Sequence, residues 1–193
     1  MKILLCLVVM MTTVHCQPLT SQTCASRRMV NIGAANPNVV IGGLFPLRTR
    51  GFGNYGCGPV GDAPYNMQAF EAARFALARI NGFNPIPGVT LGMVAYDTCS
   101  SGSVATRAVS EFLPHLTSSS SQCTVAVAPP KLVPGIIGGH FGEVTKSVAS
   151  FLQGFDVAQV AYSSRLSEFS DVFHYPNLLR TDAPPRAVAE VSV

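Results

Sequence analysis

The chemistry this 193-residue chain can offer rests on its cysteines and on two short loops of small and polar residues. Cys6 and Cys16 lie in the N-terminal apolar segment, which leaves Cys24, Cys57, Cys99 and Cys123. An even set behind a secretory leader favours disulfides over metal, with buried free thiols as the alternative. No Cys-x-x-Cys and no paired histidine spacing offers a zinc site. Gly138-Gly139-His140-Phe141-Gly142-Glu143 follows an apolar run and opens a helical pattern, so its amides could cradle a carboxylate or phosphate. It lacks the Gly-Lys-Ser/Thr ending of a P-loop, and an ordinary strand-to-helix turn explains the same residues. His140 reads as an exposed loop residue. Ser163-Ser164-Arg165 stands where another strand gives way to loop, a place for hydroxyls and amides to face a cleft or for plain turn chemistry, with Arg165 on the surface. No Gly-x-Ser-x-Gly elbow and no carboxylate pair suggests catalysis. His115, His140 and His174 are isolated in sequence. These residues give no reason to expect catalysis, a metal or a cofactor.

The elements that must carry these loops alternate between two periods. Val39 to Pro46 is a continuous apolar run, as in a strand covered on both faces. Arg48 to Gly61 is a Gly-rich loop. From Pro64 the period becomes helical, with Met67, Phe70, Leu77 and Ile80 on one broad face and Asn81-Gly82 as the stop. Val89 to Tyr96 is the second strand, and Ser101 to Leu116 the second helix, capped by Ser100 or Ser101 and ended by Pro114. Thr117 to Gln122 is an exposed serine loop. Val133 to Gly138 is a third strand; Glu143 to Phe155 is a third helix, with Val144, Val148, Phe151, Leu152 and Phe155 inward. Ala158 to Tyr162 and Asn177 to Thr181 complete the strands. This alternation predicts an α/β fold with a parallel sheet flanked by helices. Ligands of such sheets bind at the carboxyl edge of the strands, here the loops 48–64, 98–103, 138–143 and 163–167.

Composition narrows the setting. Lys2, the apolar run Ile3 to Met11 and the short residues up to Cys16 form a secretory signal, so residues 1–16 are expected to be removed. That run is about half the ~20 residues a membrane-spanning helix needs. Residues 17–38 are mixed and polar and are expected to be a mobile leader. About 175 residues remain, enough for one substantial core. A net charge of +3, scattered along the chain, gives no reason to expect nucleic acid as a partner.

Several motifs occur in a fixed order: Leu91-Gly92 with Asp97-Thr98-Cys99 closing the second strand, Gly135-Ile136-Ile137-Gly138, Phe151-Leu152, Phe155, Gln159-Val160, Tyr162-Ser163, and Leu179-Arg180-Thr181. From about Val39 to Val191 the chain resembles the extracellular, clamshell-shaped ligand-binding domain of class C G-protein-coupled receptors, the metabotropic glutamate and calcium-sensing receptors. The resemblance implies a periplasmic-binding-protein-like, Rossmann-like lobe. It covers only the first part of the upper lobe, so residues 39–193 read as an incomplete domain. It also implies a disulfide between Cys57 and Cys99 at the ligand edge, and places Cys123 near a cysteine that links two receptor subunits.

Carried over residue by residue, the resemblance puts Tyr65, Gly142, Ser163 and Arg165 at the ligand edge, and the loop reading adds Glu143 and Ser164 as candidate ligand-binding residues. Tyr65 and Ser163 match the family pattern. Ala69 stands where metabotropic glutamate receptors have a basic residue, Gly142 where a serine holds the ligand carboxylate, and Arg165 where a threonine approaches the ammonium. Losing a cation opposite a carboxylate forfeits roughly 1.5–3 kcal/mol, so glutamate in its usual pose is not expected. The implied partners are a small molecule, an amino acid or another anion, and a second copy in a full-length homodimer, where cleft closure shifts the dimer between states. The implied location is the secretory pathway: the outer face of the plasma membrane within a full receptor, or secreted if the chain ends here. The ectodomains of guanylyl cyclase receptors and ionotropic glutamate receptors are the related alternatives. A small secreted α/β enzyme is the unrelated one.

Overall fold

A computed structural model describes residues 29–62, 64–113 and 135–183. Within them a six-stranded sheet is built from β1 (Met29–Gly33), β2 (Val39–Phe45), β5 (Leu91–Asp97), β6 (Gly135–Ile137), β7 (Ala158–Ala161) and β8 (Leu178–Arg180). Its spatial order is β1-β5-β2-β6-β7-β8. The pairings from β5 through β8 are all parallel, and β1 runs antiparallel along the outer side of β5. A two-stranded hairpin, β3 (Arg48–Arg50) with β4 (Cys57–Val60), follows β2. The helices are α1 (Pro64–Phe83), α2 (Gly102–Phe112) and α3 (Gly142–Leu152). This is a mostly parallel sheet flanked by helices, a periplasmic-binding-protein-like lobe.

Right-handed crossovers decide where the helices lie. The chain leaves β2 through α1 toward β5, then doubles back through α2 to β6 and on through α3 to β7, so α1 falls on one face and α2 with α3 on the other. The side chains sort accordingly. Val40, Leu44, Val94, Tyr96 and Ile136 join Val109, Phe112, Val144, Val148 and Leu152 in the larger core. Phe45, Met93 and Ala95 join Leu77, with Phe70 and Tyr162 at the margin, in the smaller one. Burial on both faces is why β2 and β5 read as unbroken apolar runs rather than alternating ones.

Four expectations need correction. Met29–Gly33, placed within the mobile leader, is an edge strand: it pairs with β5 from Met29 opposite Tyr96 to Gly33 opposite Gly92. Its Met-Val-Asn-Ile-Gly sequence has too few residues to establish a period. Met67 and Ile80 are exposed, and α1 buries Asn66 and Leu77 with Ala69, Phe70 and Ala73 packed beside them. The inward stripe therefore passes through Asn81, whose side-chain amide donates to Leu91 O and whose carbonyl accepts from Leu91 N, both at 2.8 Å. The helix runs past that residue to Phe83 instead of stopping at it. Phe155 lies beyond the end of α3 and is exposed. Residues 1–28, with Cys24, and 114–134, with Cys123, His115, Pro114 and the serine loop, lie outside the described residues.

Candidate functional site

In a sheet whose order reverses between β2 and β6, the candidate crevice is where these strands lie side by side and their following helices depart in opposite directions. Its floor is the carboxyl ends of β2 and β6. One wall is the turn after β5 together with the hairpin; the other is formed by the turns after β6 and β7 and by the start of α1.

The first wall is tied to the backbone throughout. Asp97 is buried, and its Oδ1 accepts from Leu47 N at 3.1 Å, Arg48 N at 3.2 Å and Cys99 N at 2.9 Å. Arg48 Nε stands 3.6 Å from Oδ2. Thr98 N donates to Phe45 O at 2.8 Å. Cys99 and Ser100 then take left-handed φ of 48° and 52°, which turns the chain into α2. Cys57 and Cys99 are joined in a disulfide with Cα atoms 5.2 Å apart, so the hairpin is fixed to the end of β5. Ser101 occupies the N-cap position of α2, yet its hydroxyl makes no capping bond and has no protein partner.

The second wall begins where β6 meets β2. Gly138 has φ +128°, and a Cβ there would stand 2.6 Å from Leu44 Cβ, so only glycine lets the strand end approach so closely. Gly138 O accepts from the buried Gln159 Nε2 at 2.8 Å. Gly139 O accepts from the hydroxyls of Thr145, at 3.2 Å, and Ser164, at 3.3 Å, and these two hydroxyls also contact each other. Ser164 is 1% exposed, so its hydroxyl faces inward to this carbonyl and not the cleft.

Above that buried knot lies a set of rings. The His140 imidazole stacks on Tyr65 with centroids 5.2 Å apart, lies 5.8 Å from Tyr162 and meets Phe141 edge-on at 4.7 Å. Tyr162 is fixed from below, its hydroxyl donating to Leu44 O at 3.3 Å, and burial pushes its phenol pKa far up. His140 is thus a partly buried member of the wall and not the exposed loop residue expected from sequence. Burial lowers its pKa below 6.5, with the Asp182 carboxylate opposing the shift.

The remaining expected site residues fall into two groups. Tyr65 is brought through His140 to Tyr162, and the partly exposed Ser163 follows Tyr162 in the chain. Glu143 and Arg165 are engaged in ion pairs: Glu143 Oε1 meets Arg50 Nη1 at 3.4 Å, and Arg165 Nε meets Asp182 Oδ2 at 3.2 Å. At Gly142 a side chain would run into Leu166, whose Cγ lies 2.9 Å from the Cβ position. Sequence reasoning did not single out Arg50, Asp182 or Thr145, because long-range ion pairs and a buried hydroxyl leave no local pattern. Among the described residues no three His, Cys, Asp or Glu side chains gather as a metal site would require.

With this geometry in view, the profile described as the receptor family ligand binding region matches residues 68–192. The chain belongs to that receptor ligand-binding family. Over 170 residues it is 31% identical to a metabotropic glutamate receptor of Drosophila melanogaster, a stretch that takes in 81% of this chain and 17% of the relative. The chain thus spans about a sixth of the length of that curated relative. It is a periplasmic-binding-protein-like extracellular ligand-binding domain related to the class C and glutamate receptors. Its family binds ligands and does not catalyse.

Proposed function

We propose that residues 39–193 form the upper-lobe portion of a class C receptor-type domain that recognises a small extracellular molecule. The observation that carries this reading is the β2/β6 switch point, with the exposed Tyr65 and the turns 138–142 and 162–165 at its carboxyl edge, within a chain of this family. A single lobe leaves a ligand wet on one side, so a second lobe closing over the crevice is what would give it affinity. Closure would then shift a homodimer between two arrangements, with Cys123 available for an interchain link. Residues 1–16 would direct the chain into the secretory pathway, and residues 17–28 would lead into the edge strand β1.

The test is amide NMR on the secreted chain, titrated with free amino acids and small organic anions at millimolar concentration. Shifts confined to residues 46–62, 65, 138–143 and 162–166 are the expected result. Shifts that cluster on the outer surfaces of α2 and α3, away from the carboxyl edge, would sink the crevice reading.

A further inference from the structure

Among the described residues, three arginines near the carboxyl edge are matched by carboxylates. Arg48 faces Asp97 at 3.6 Å, Arg50 faces Glu143 at 3.4 Å and Arg165 faces Asp182 at 3.2 Å. Arg180, at the end of β8, donates instead to Leu166 O at 3.1 Å and Ser170 Oγ at 2.8 Å. An anionic ligand would have to displace one of these partners and would meet Glu143 and Asp182 as repelling charges. At Gly142, apolar carbon from Leu166 fills the space a side chain would take.

What the crevice presents in place of positive charge is ring surface. Tyr65 is 48% exposed, Phe141 37% and Leu166 46%, and the His140 ring bridges Tyr65 to Phe141. Burial lowers the imidazole pKa, against the opposing Asp182 carboxylate. Stacked and edge-on ring geometry at 4.7–5.8 Å continues inward to Tyr162, which is anchored on β2. A ring cluster that is fixed beneath and open above is prepared to extend by one more ring at little ordering cost.

We propose that the ligand of this crevice carries a planar aromatic ring, stacked on the Tyr65–His140–Phe141 surface, and no carboxylate. This rests on the crevice being the ligand site, and it narrows the ligand class within that reading.

The chain contains no tryptophan, so indole emission reports the probe alone. Indole-3-propionamide and indole-3-propionate share ring and length and differ only in charge; L-glutamate, followed by calorimetry, supplies a charged head without a ring. The amide is expected to bind saturably, and the carboxylate roughly tenfold more weakly. Tyr65→Ala should lower affinity for the amide by about tenfold, and Tyr65→Phe should leave it unchanged. Equal affinity for amide and carboxylate, or full affinity in Tyr65→Ala, overturns the proposal. Saturable L-glutamate binding with neither indole bound overturns it while leaving the crevice as the ligand site. Silence from all three probes overturns both.

Discussion

The turn after β5 and the turn after β6 flank the same strand, β2, and are held in opposite ways. The first is fixed by groups that point at backbone: a buried carboxylate accepting three amides, a threonine on Phe45 O and a disulfide to the hairpin. The second keeps its backbone ties below, at Gly138 and Gly139, and displays rings and paired charges above. One wall is frame and the other is surface. A substitution in the frame should therefore change stability with little regard to ligand, and a substitution in the surface should do the reverse.

The largest effect belongs to the disulfide. It closes a loop of 42 residues, worth roughly 4 kcal/mol in the chain-entropy picture. Cys57→Ser with Cys99→Ser is expected to lower the urea-unfolding free energy by about that much, and peptide mapping of the parent without reduction should recover the two peptides linked. Asp97→Ala comes next, at roughly 3 kcal/mol, since it leaves three amides and Arg48 without their acceptor. If either variant unfolds at the same urea concentration as the parent, the first wall is not a frame.

The unequal legibility of the two walls has a physical origin. Strand and helix positions came through because both sheet faces are covered, which writes β2 and β5 as unbroken apolar runs, and because α3 keeps Val144, Val148 and Leu152 at helical spacing. The frame was visible as a motif, Asp97-Thr98-Cys99, whose reason becomes clear only when Asp97 is seen accepting from Leu47 and Arg48, fifty residues away in sequence. The edge strand was missed because five residues with one neighbour need no pattern of their own. The direction of the Ser164 hydroxyl is hidden for a different reason. A serine beside a strand end looks the same whether it faces water or, as here, a buried carbonyl, and only Thr145 on α3 settles the direction.

That buried knot supplies a smaller test. Ser164→Ala and Thr145→Val each remove one of two hydroxyls sharing Gly139 O, and each is expected to cost about 1 kcal/mol. Because they contact one another the double variant should depart from additivity by roughly 0.5 kcal/mol or more. Ligand affinity should be untouched by Ser164→Ala. A selective loss of binding with unchanged stability would move Ser164 from frame to surface and return it to the ligand edge.

The smallest expected effect, and the one that bears most directly on the second wall, is the titration of His140. Burial among Tyr65, Phe141 and Tyr162 disfavours the imidazolium, while Asp182 favours it, and burial is the stronger of the two, so the folded pKa lies below 6.5. In the unfolded chain the same group titrates near its ordinary value of about 6.5. Between these two values the unfolded chain binds more protons than the folded one, so stability rises with pH across that window. The contribution of the neutral ring is complete above about 6.5, declines as pH falls toward the folded pKa, and stays constant below it. Glu143, Arg50 and Arg165 also face this region, so the measurement must be a difference: the unfolding free energy of the parent minus that of His140→Gln, followed from pH 7.5 down to 4.5. The parent should lose ground relative to the variant as the pH drops, and the imidazole Cε1 proton, assigned by its absence in the variant, should titrate below 6.5. A His140 pKa above 6.5 would mean that Asp182 outweighs the rings, making the second wall a charged surface and breaking the contrast between frame and ring surface at its weakest point.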